Sequence, residues 1–293
     1  SLAACCLSDA FKNLFSLTRL DEALVVYDDE KTALRGEKGG LPSIPFSTAH
    51  GLDRESSLPG WARFVSAVSI DHVPAGDMNI NVRDRKTTGP VRGFGSLWDK
   101  RYRFRIEGAA PEPREIISLW RSEFPRFWPP GNKFFPSGGS SIKPGTAALL
   151  NLGLPGGLIL ATGLMVIHAD EHSFSFITIQ GHMLSGWITF SSFREEGATI
   201  LQIHPLFRAG DPLMQIALGF GGADQEDRFW RDTILNLAAR LGARGELSQR
   251  DVLIDPSFRW TESKNILKSS AIGSTLYMPF HVMQSLAGMV MGR

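Results

Sequence analysis

The sequence predicts an α+β fold, a curved antiparallel sheet packed on one long C-terminal helix. Three observations carry that expectation. One segment alternates strictly, a run of strand-like segments is joined by very short connections, and a strongly amphipathic helix closes the run.

The alternating segment is Arg101-Tyr102-Arg103-Phe104-Arg105-Ile106-Glu107. Its period of two puts Tyr102, Phe104 and Ile106 on a core face and the arginines on the other. A helix follows, opened by Pro111-Glu112-Pro113 and striped by Ile116, Trp120 and Phe124. Early proline and acidic residues in the first turn suit a helix start. Pro125 and Trp128-Pro129-Pro130-Gly131 end it. Strand-like segments then run over Thr146–Leu152, Leu158–His168, Phe174–Gln180, Trp187–Phe193 and Thr199–Phe207. Turn residues separate them, and connections this short demand antiparallel neighbours. In the closing helix Trp230, Ile234, Leu237 and Leu241 recur at spacings of four, three and four. Asp224 is its expected N-cap and Gly242 its stop.

A helix with a wide apolar face must bury it, and the concave side of the sheet is the surface available. That order is the helix-grip arrangement, with N-terminal and C-terminal extensions. A ferredoxin-like layout wants two repeated halves and a hot-dog layout a central helix early in the sheet, so both fit worse. The expected organisation is an irregular or mixed N-terminal extension over 1–97, a helix-grip domain over 98–245, and a C-terminal extension over 246–293 packed on it. Within the first, Ser8–Leu17 reads as a short helix, Lys31–Pro59 as irregular connection, and Phe64–Ile70 as a strand. Within the last, Val252–Ile254 reads as a short strand.

Composition sets the bounds. The 293 residues are 43% hydrophobic and 21% charged, which is ample for a buried core. Lys+Arg of 31 against Asp+Glu of 30 leaves a net charge of +1, so no global attraction to nucleic acid or acidic membranes is expected. Cys5 and Cys6, the only two cysteines, are adjacent and provide neither a disulfide framework nor a thiolate metal site. A reducing, cytoplasmic location is the expectation. The chain starts at Ser1 and reads as trimmed; its first seven residues are too short for a complete signal peptide and lack a basic leader. Leu149–Ile167 is interrupted by Pro155-Gly156-Gly157, and Ala271–Met291 by Pro279 and His281, so neither reads as a membrane span.

Several short motifs resemble an uncharacterised bacterial family, a domain of unknown function of the START-like (SRPBCC) superfamily. They include Gly93-Phe94-Gly95-Ser96-Leu97-Trp98, Phe127-Trp128-Pro129-Pro130-Gly131-Asn132, Gln180-Gly181-His182-Met183 and Gly186-Trp187-Ile188-Thr189-Phe190-Ser191. Ala161-Thr162-Gly163 with Ala169-Asp170, Arg208-Ala209 with Asp211-Pro212, and Glu226-Asp227-Arg228-Phe229-Trp230 extend the resemblance over about 93–245. It implies the helix-grip fold and little about function, because one fold hosts many activities.

The expected function is binding of a hydrophobic or amphipathic small molecule, such as a lipid, between sheet and helix. Trp120, Phe124, Phe174, Phe176, Trp187, Trp230 and Ile234 would line the cavity. Gln180, His182, Gln202, His204 and Arg208 would supply its polar contacts. An alternative is a cyclase- or hydrolase-type enzyme with His182 or His204 as general base. Another is a structural or interaction module whose core is filled by its own side chains. No cofactor is expected, and no protein partner is specified. His168 and His172 fall between two strands and lack the HExxH order, so they read as a hairpin tip, not a metal site. Arg208 and Asp211 read as an ion pair bracing a connection, and Glu226, Asp227 and Arg228 as a helix-start cluster favoured by the macrodipole. The arginines at 83, 85, 92, 101, 103 and 105, with Lys86 and Lys100, read as a solvated strand face paired with acidic neighbours.

Overall fold

A computed structural model describes residues 3–5, 18, 25–27, 59–70, 74, 77–137 and 142–291. The expected Ser8–Leu17 helix and nearly all of the irregular 31–59 stretch lie outside these residues. Strands β1 (Ala3–Cys5) and β2 (Val25–Tyr27) form a small parallel pair. The main sheet is built from β3 (Thr87–Thr88), β4 (Leu97–Glu107), β5 (Lys133–Pro136), β6 (Ala147–Gly153), β7 (Ile159–Ala169), β8 (Ser173–Ile179), β9 (Leu184–Glu195), β10 (Ala198–Ala209) and β11 (Arg244–Asp255). Its order is β11-β4-β10-β9-β8-β7-β6-β5, every pairing antiparallel, with β3 pairing the end of β8. Helix α1 (Pro113–Ser122) connects β4 to the opposite end of the sheet. Helices α2 (Pro212–Ala217) and α3 (Ala223–Arg240) follow β10, and α4 (Ser270–Met291) closes the chain. This is the helix-grip arrangement, a curved antiparallel sheet packed on a long helix.

Sheet parity creates two cores. On the concave face Tyr102, Phe104, Phe174, Phe176, Phe190, Leu201 and Ile203 pack with Ile116 and Trp120 of α1 and with Ile234 and Leu237 of α3. An aromatic group stands at its centre: the Phe124 ring meets those of Trp128, Phe134, Phe174, Phe176 and Phe190 at 5.1–5.7 Å. Such tilted and edge-on pairs add to the area they bury. On the convex face Leu149, Met165, Ile167, Ile177 and Ile179 are covered by Ala62, Val68, Ile70 and Val82. The buried Asn151 side chain exchanges two hydrogen bonds with the backbone of Met78, fixing that cover to β6.

Two expectations need correcting, and two others are filled out. Phe64–Ile70 is not a strand; Val68 makes an isolated bridge with Arg85, because the segment crosses over the sheet without joining a ladder. The long helix does not begin at a cap on Asp224. The helical run starts at Pro212, where Asp211 Oδ1 accepts the Met214 amide at 3.0 Å. It is kinked at Phe220 and Gly221, whose φ of 96° only glycine takes readily, and resumes as α3. Val252–Ile254 belongs to the twelve-residue β11, which is exposed over most of its length, with Leu247 part-buried against the concave core, and so shows little alternation to read. The apolar tail is helical through Pro279, and Ser274 at its start accepts the Ala161 amide of β7. Among the described residues no helix is long and apolar enough to cross a membrane.

Candidate functional site

The concave core is not filled completely. A cavity of about 260 Å³ lies between the sheet, the Phe124–Trp128 turn and the kinked helix. Its wall is largely apolar: Leu150, Leu152, Leu160 and Leu164 from β6 and β7, Phe176 and Ile188 from β8 and β9, Pro205 and Phe207 from β10, and Phe229 and Trp230 from α3. Met214, Ala217 and Leu218 close it along α2 and the kink, and the wall reaches solvent at Ala217 and Gln225.

Of the twelve residues read from the sequence as ligand contacts, Phe124, Phe176, His182, Trp187 and Trp230 border this cavity. Trp187 also packs against the convex core. Trp120, Phe174 and Ile234 are fully buried in the aromatic core behind the wall. The other four sit elsewhere. Gln180 accepts from Lys268 Nζ at 3.3 Å near the start of the C-terminal helix. Gln202 and His204 share the convex face, where Gln202 accepts from Arg103 Nε at 2.7 Å and His204 Nε2 lies 3.1 Å from Asp99 Oδ1. Parity explains this, since Leu201, Ile203, Pro205 and Phe207 take the concave side of β10. Arg208 is buried and braces the sheet edge. It donates to the carbonyls of Gly95 at 2.7 Å and Ser257 at 3.1 Å and pairs with Asp255, not with Asp211.

The polar side chains of the wall are few, and their bonds can be followed one by one. Asn132 Oδ1 accepts the Gly153 amide, and its Nδ2 donates to Pro129 O. Thr178 donates to Thr88 O and accepts from the Gly186 amide. His182, 8% exposed, lies in the turn between β8 and β9, where its Nδ1 accepts the Leu184 amide at 3.0 Å. Burial lowers its pKa to about 4, so the ring is neutral at physiological pH.

Glu226, in the first turn of α3, is the group that sequence reasoning missed as a cavity residue. Lys100 Nζ reaches its Oε2 at 2.7 Å and also bonds Asp227. Tyr102 Oη donates to Asp227 Oδ1 at 2.6 Å and lies 3.3 Å from Glu226 Oε2. Lys100 is therefore not on the solvated face expected of the basic segment: it alternates with Tyr102 on the concave face of β4, buried beneath the helix start. Glu226 Oε1 is buried and has no hydrogen-bond partner among the described residues, and the same is true of Trp128 Nε1. Burial is the main cause that pushes the Glu226 carboxyl up to about 7, against the pull of Lys100. The Tyr102 phenol is held well above its usual range by burial and the same carboxylates.

No protein-family model matches the chain, and no curated protein matches it in sequence. Solved structures resemble it in part. The di-domain ARO/CYC StfQ from the steffimycin biosynthetic pathway is 9% identical with a TM-score of 0.40, over 50% of this chain and 51% of that one. The chain thus spans about half the length of StfQ. Major latex-like protein 151 of Panax ginseng is 12% identical with a TM-score of 0.37, over 50% of this chain and 99% of that one. A protein of Thermus thermophilus is 12% identical with a TM-score of 0.39, over 49% and 96% of the two chains.

Proposed function

We propose that this protein binds a compact hydrophobic or amphipathic small molecule, lipid-like or aromatic, between its sheet and helix α3. One observation carries the reading: the concave core, otherwise closely packed, leaves about 260 Å³ empty behind an apolar wall. Cores normally close to crystal-like density, so a void of this size loses contacts that a ligand would restore. It lies just below the ~300–1,000 Å³ usual for ligand sites and above the ~150 Å³ that accepts benzene. A filled interaction module would have no use for it. The enzyme reading has weaker support, because His204 faces away from the cavity and His182 Nδ1 is committed to its own turn.

The accompanying proposals are a helix-grip domain over 98–245 with flanking extensions, membership of the bacterial START-like family that the motifs resemble, and a cytoplasmic location. Native mass spectrometry of protein purified from its own host tests the function. The expected result is an added mass of roughly a few hundred daltons that disappears on denaturation. A bare mass, together with no rise in melting temperature for any member of a panel of compact apolar compounds, would overturn it.

A further inference from the structure

We propose that the C-terminal segment Trp260–Met283 lies on the surface of an anionic lipid bilayer, with the outer face of α4 among the acyl chains and the basic turns before it among the headgroups.

The two faces of α4 are reversed from those of an ordinary surface helix, which buries its apolar stripe and turns the polar one to water. The side that meets the sheet is small and polar. Ser274 Oγ accepts the Ala161 amide at 2.9 Å, Ser270 Oγ donates to Thr162 Oγ1 at 3.3 Å, and the buried Asn81 donates to Ser270 O and Ser274 Oγ. Gly273 leaves room for that asparagine, since a Cβ there would stand 2.6 Å from its Oδ1. The outward side carries Ile272, Leu276, Phe280 and Met283 at spacings of four, four and three, and the last three are 71%, 60% and 65% exposed.

What covers this face must supply apolar area and ask for few hydrogen bonds. Between Ile272 and Met283 the exposed side chains are apolar except for Thr275, whose hydroxyl donates to Ala271 O at 2.8 Å. A protein partner would exchange about one hydrogen bond per 100–200 Å² of interface, and acyl chains exchange none. No helix among the described residues is long and apolar enough to cross a bilayer, so α4 lies along its surface.

Charge names the kind of surface. The 3-10 turns Trp260–Lys268 lead into the helix. Arg259, Lys264 and Lys268 are exposed there, while Glu262, the one acidic residue among 256–293, is buried and paired with Arg92 at 3.3 Å. Cations just before a helix start oppose its macrodipole, so helix stability does not account for them. An anionic headgroup layer does. The exposed Trp260, propped edge-on by the Phe94 ring at 5.2 Å, is an aromatic of the kind that sits at headgroup level. Two copies meeting through this face would bring like charges together, which disfavours a self-interface.

Co-sedimentation of the full chain with vesicles tests the proposal. Vesicles of phosphatidylglycerol and phosphatidylcholine in equal parts should take up the protein about a hundredfold more strongly than pure phosphatidylcholine, at about 1 kcal/mol for each of the three cations. Lys264→Gln with Lys268→Gln should lower that preference about thirtyfold. Leu276→Ser with Phe280→Ser, both at exposed positions, should lower uptake about tenfold or more with an unchanged urea midpoint. Native protein that stays in the supernatant with anionic vesicles would overturn the proposal, and so would uptake indifferent to the Leu276 and Phe280 substitutions. A native dimer in sedimentation velocity that the same two substitutions dissociate would overturn it too, and would give the face to a second copy of the chain.

Discussion

Two buried groups on the cavity wall should oppose each other in the pH dependence of stability. Glu226 is raised from 4.5 to about 7, so the folded state holds its proton more tightly than the unfolded chain does. Its contribution is fullest below pH 4.5 and falls as pH rises towards 7. His182 is lowered from 6.5 to about 4, so the folded state resists its protonation. Its contribution is present above pH 6.5 and is lost as pH falls towards 4. Each displacement is about two and a half pH units, worth ~3 kcal/mol at about 1.36 kcal/mol per unit. Between about pH 5 and 6.5 each contribution changes by ~2 kcal/mol, with opposite signs. The native protein should therefore show a nearly flat profile there. Glu226→Gln should uncover a rise of ~2 kcal/mol with pH, and His182→Asn, which keeps an acceptor for the Leu184 amide, a fall of similar size. His168, also lowered by burial, adds to the histidine side. Below about pH 4 the paired Asp227 and Asp170, both held below the usual carboxylate range, lose their contributions in all three proteins. Urea unfolding at half-unit pH steps measures this directly. Three parallel profiles would refute the reasoning.

Two further outcomes follow from the supports around the sheet. Arg208→Met removes a buried guanidinium that ties Gly95, Ser257 and Asp255 together, and should cost about 3 kcal/mol in urea unfolding. Hydrogen exchange should accelerate across β11, the edge strand that this arginine anchors; unchanged exchange there would show that β11 holds without it. Gly181 has a φ of 89°, and an added Cβ would overlap Lys268 O, so Gly181→Ala cannot keep the hydrogen bond from the Ser270 amide to its own carbonyl. It should destabilise the protein by ~2 kcal/mol or more and speed proteolysis within the C-terminal helix, with equal cleavage rates refuting the docking role.

The sheet is legible in the sequence where one face is buried and one is not. β4 alternates because Tyr102, Phe104 and Ile106 meet the helices while its arginines pair on the far side with groups such as Glu195 and Gln202. β11 is illegible for the same reason inverted, since apart from the part-buried Leu247 and its neighbours it is largely exposed, and its register with β4 is carried by the ladder. The aromatic wall is readable from Phe124, Phe176 and Trp230. Polarity alone suggests that Gln202, His204 and Arg208 belong near the cavity. Yet the alternation of Leu201, Ile203, Pro205 and Phe207 already assigns that face to apolar groups, and parity is the stronger constraint on a strand.

Glu226 is a different kind of omission. A carboxylate in the first turn of a helix has a sufficient local explanation in the macrodipole, and nothing nearby in sequence contradicts it. Its partner Lys100 is 126 positions away, and only the register of β4 beneath α3 brings them together. Local electrostatics also cannot explain the desolvation that the cluster suffers. Burying a lysine, a phenol and a carboxylate to pin one helix start is an unfavourable way to do what apolar side chains do elsewhere along α3, through Ile234 and Leu237. Lys100, bonded to both carboxylates, and Tyr102, bonded to Asp227, tie β4 to the start of α3, and that crossing of strand and helix is visible only in the folded chain.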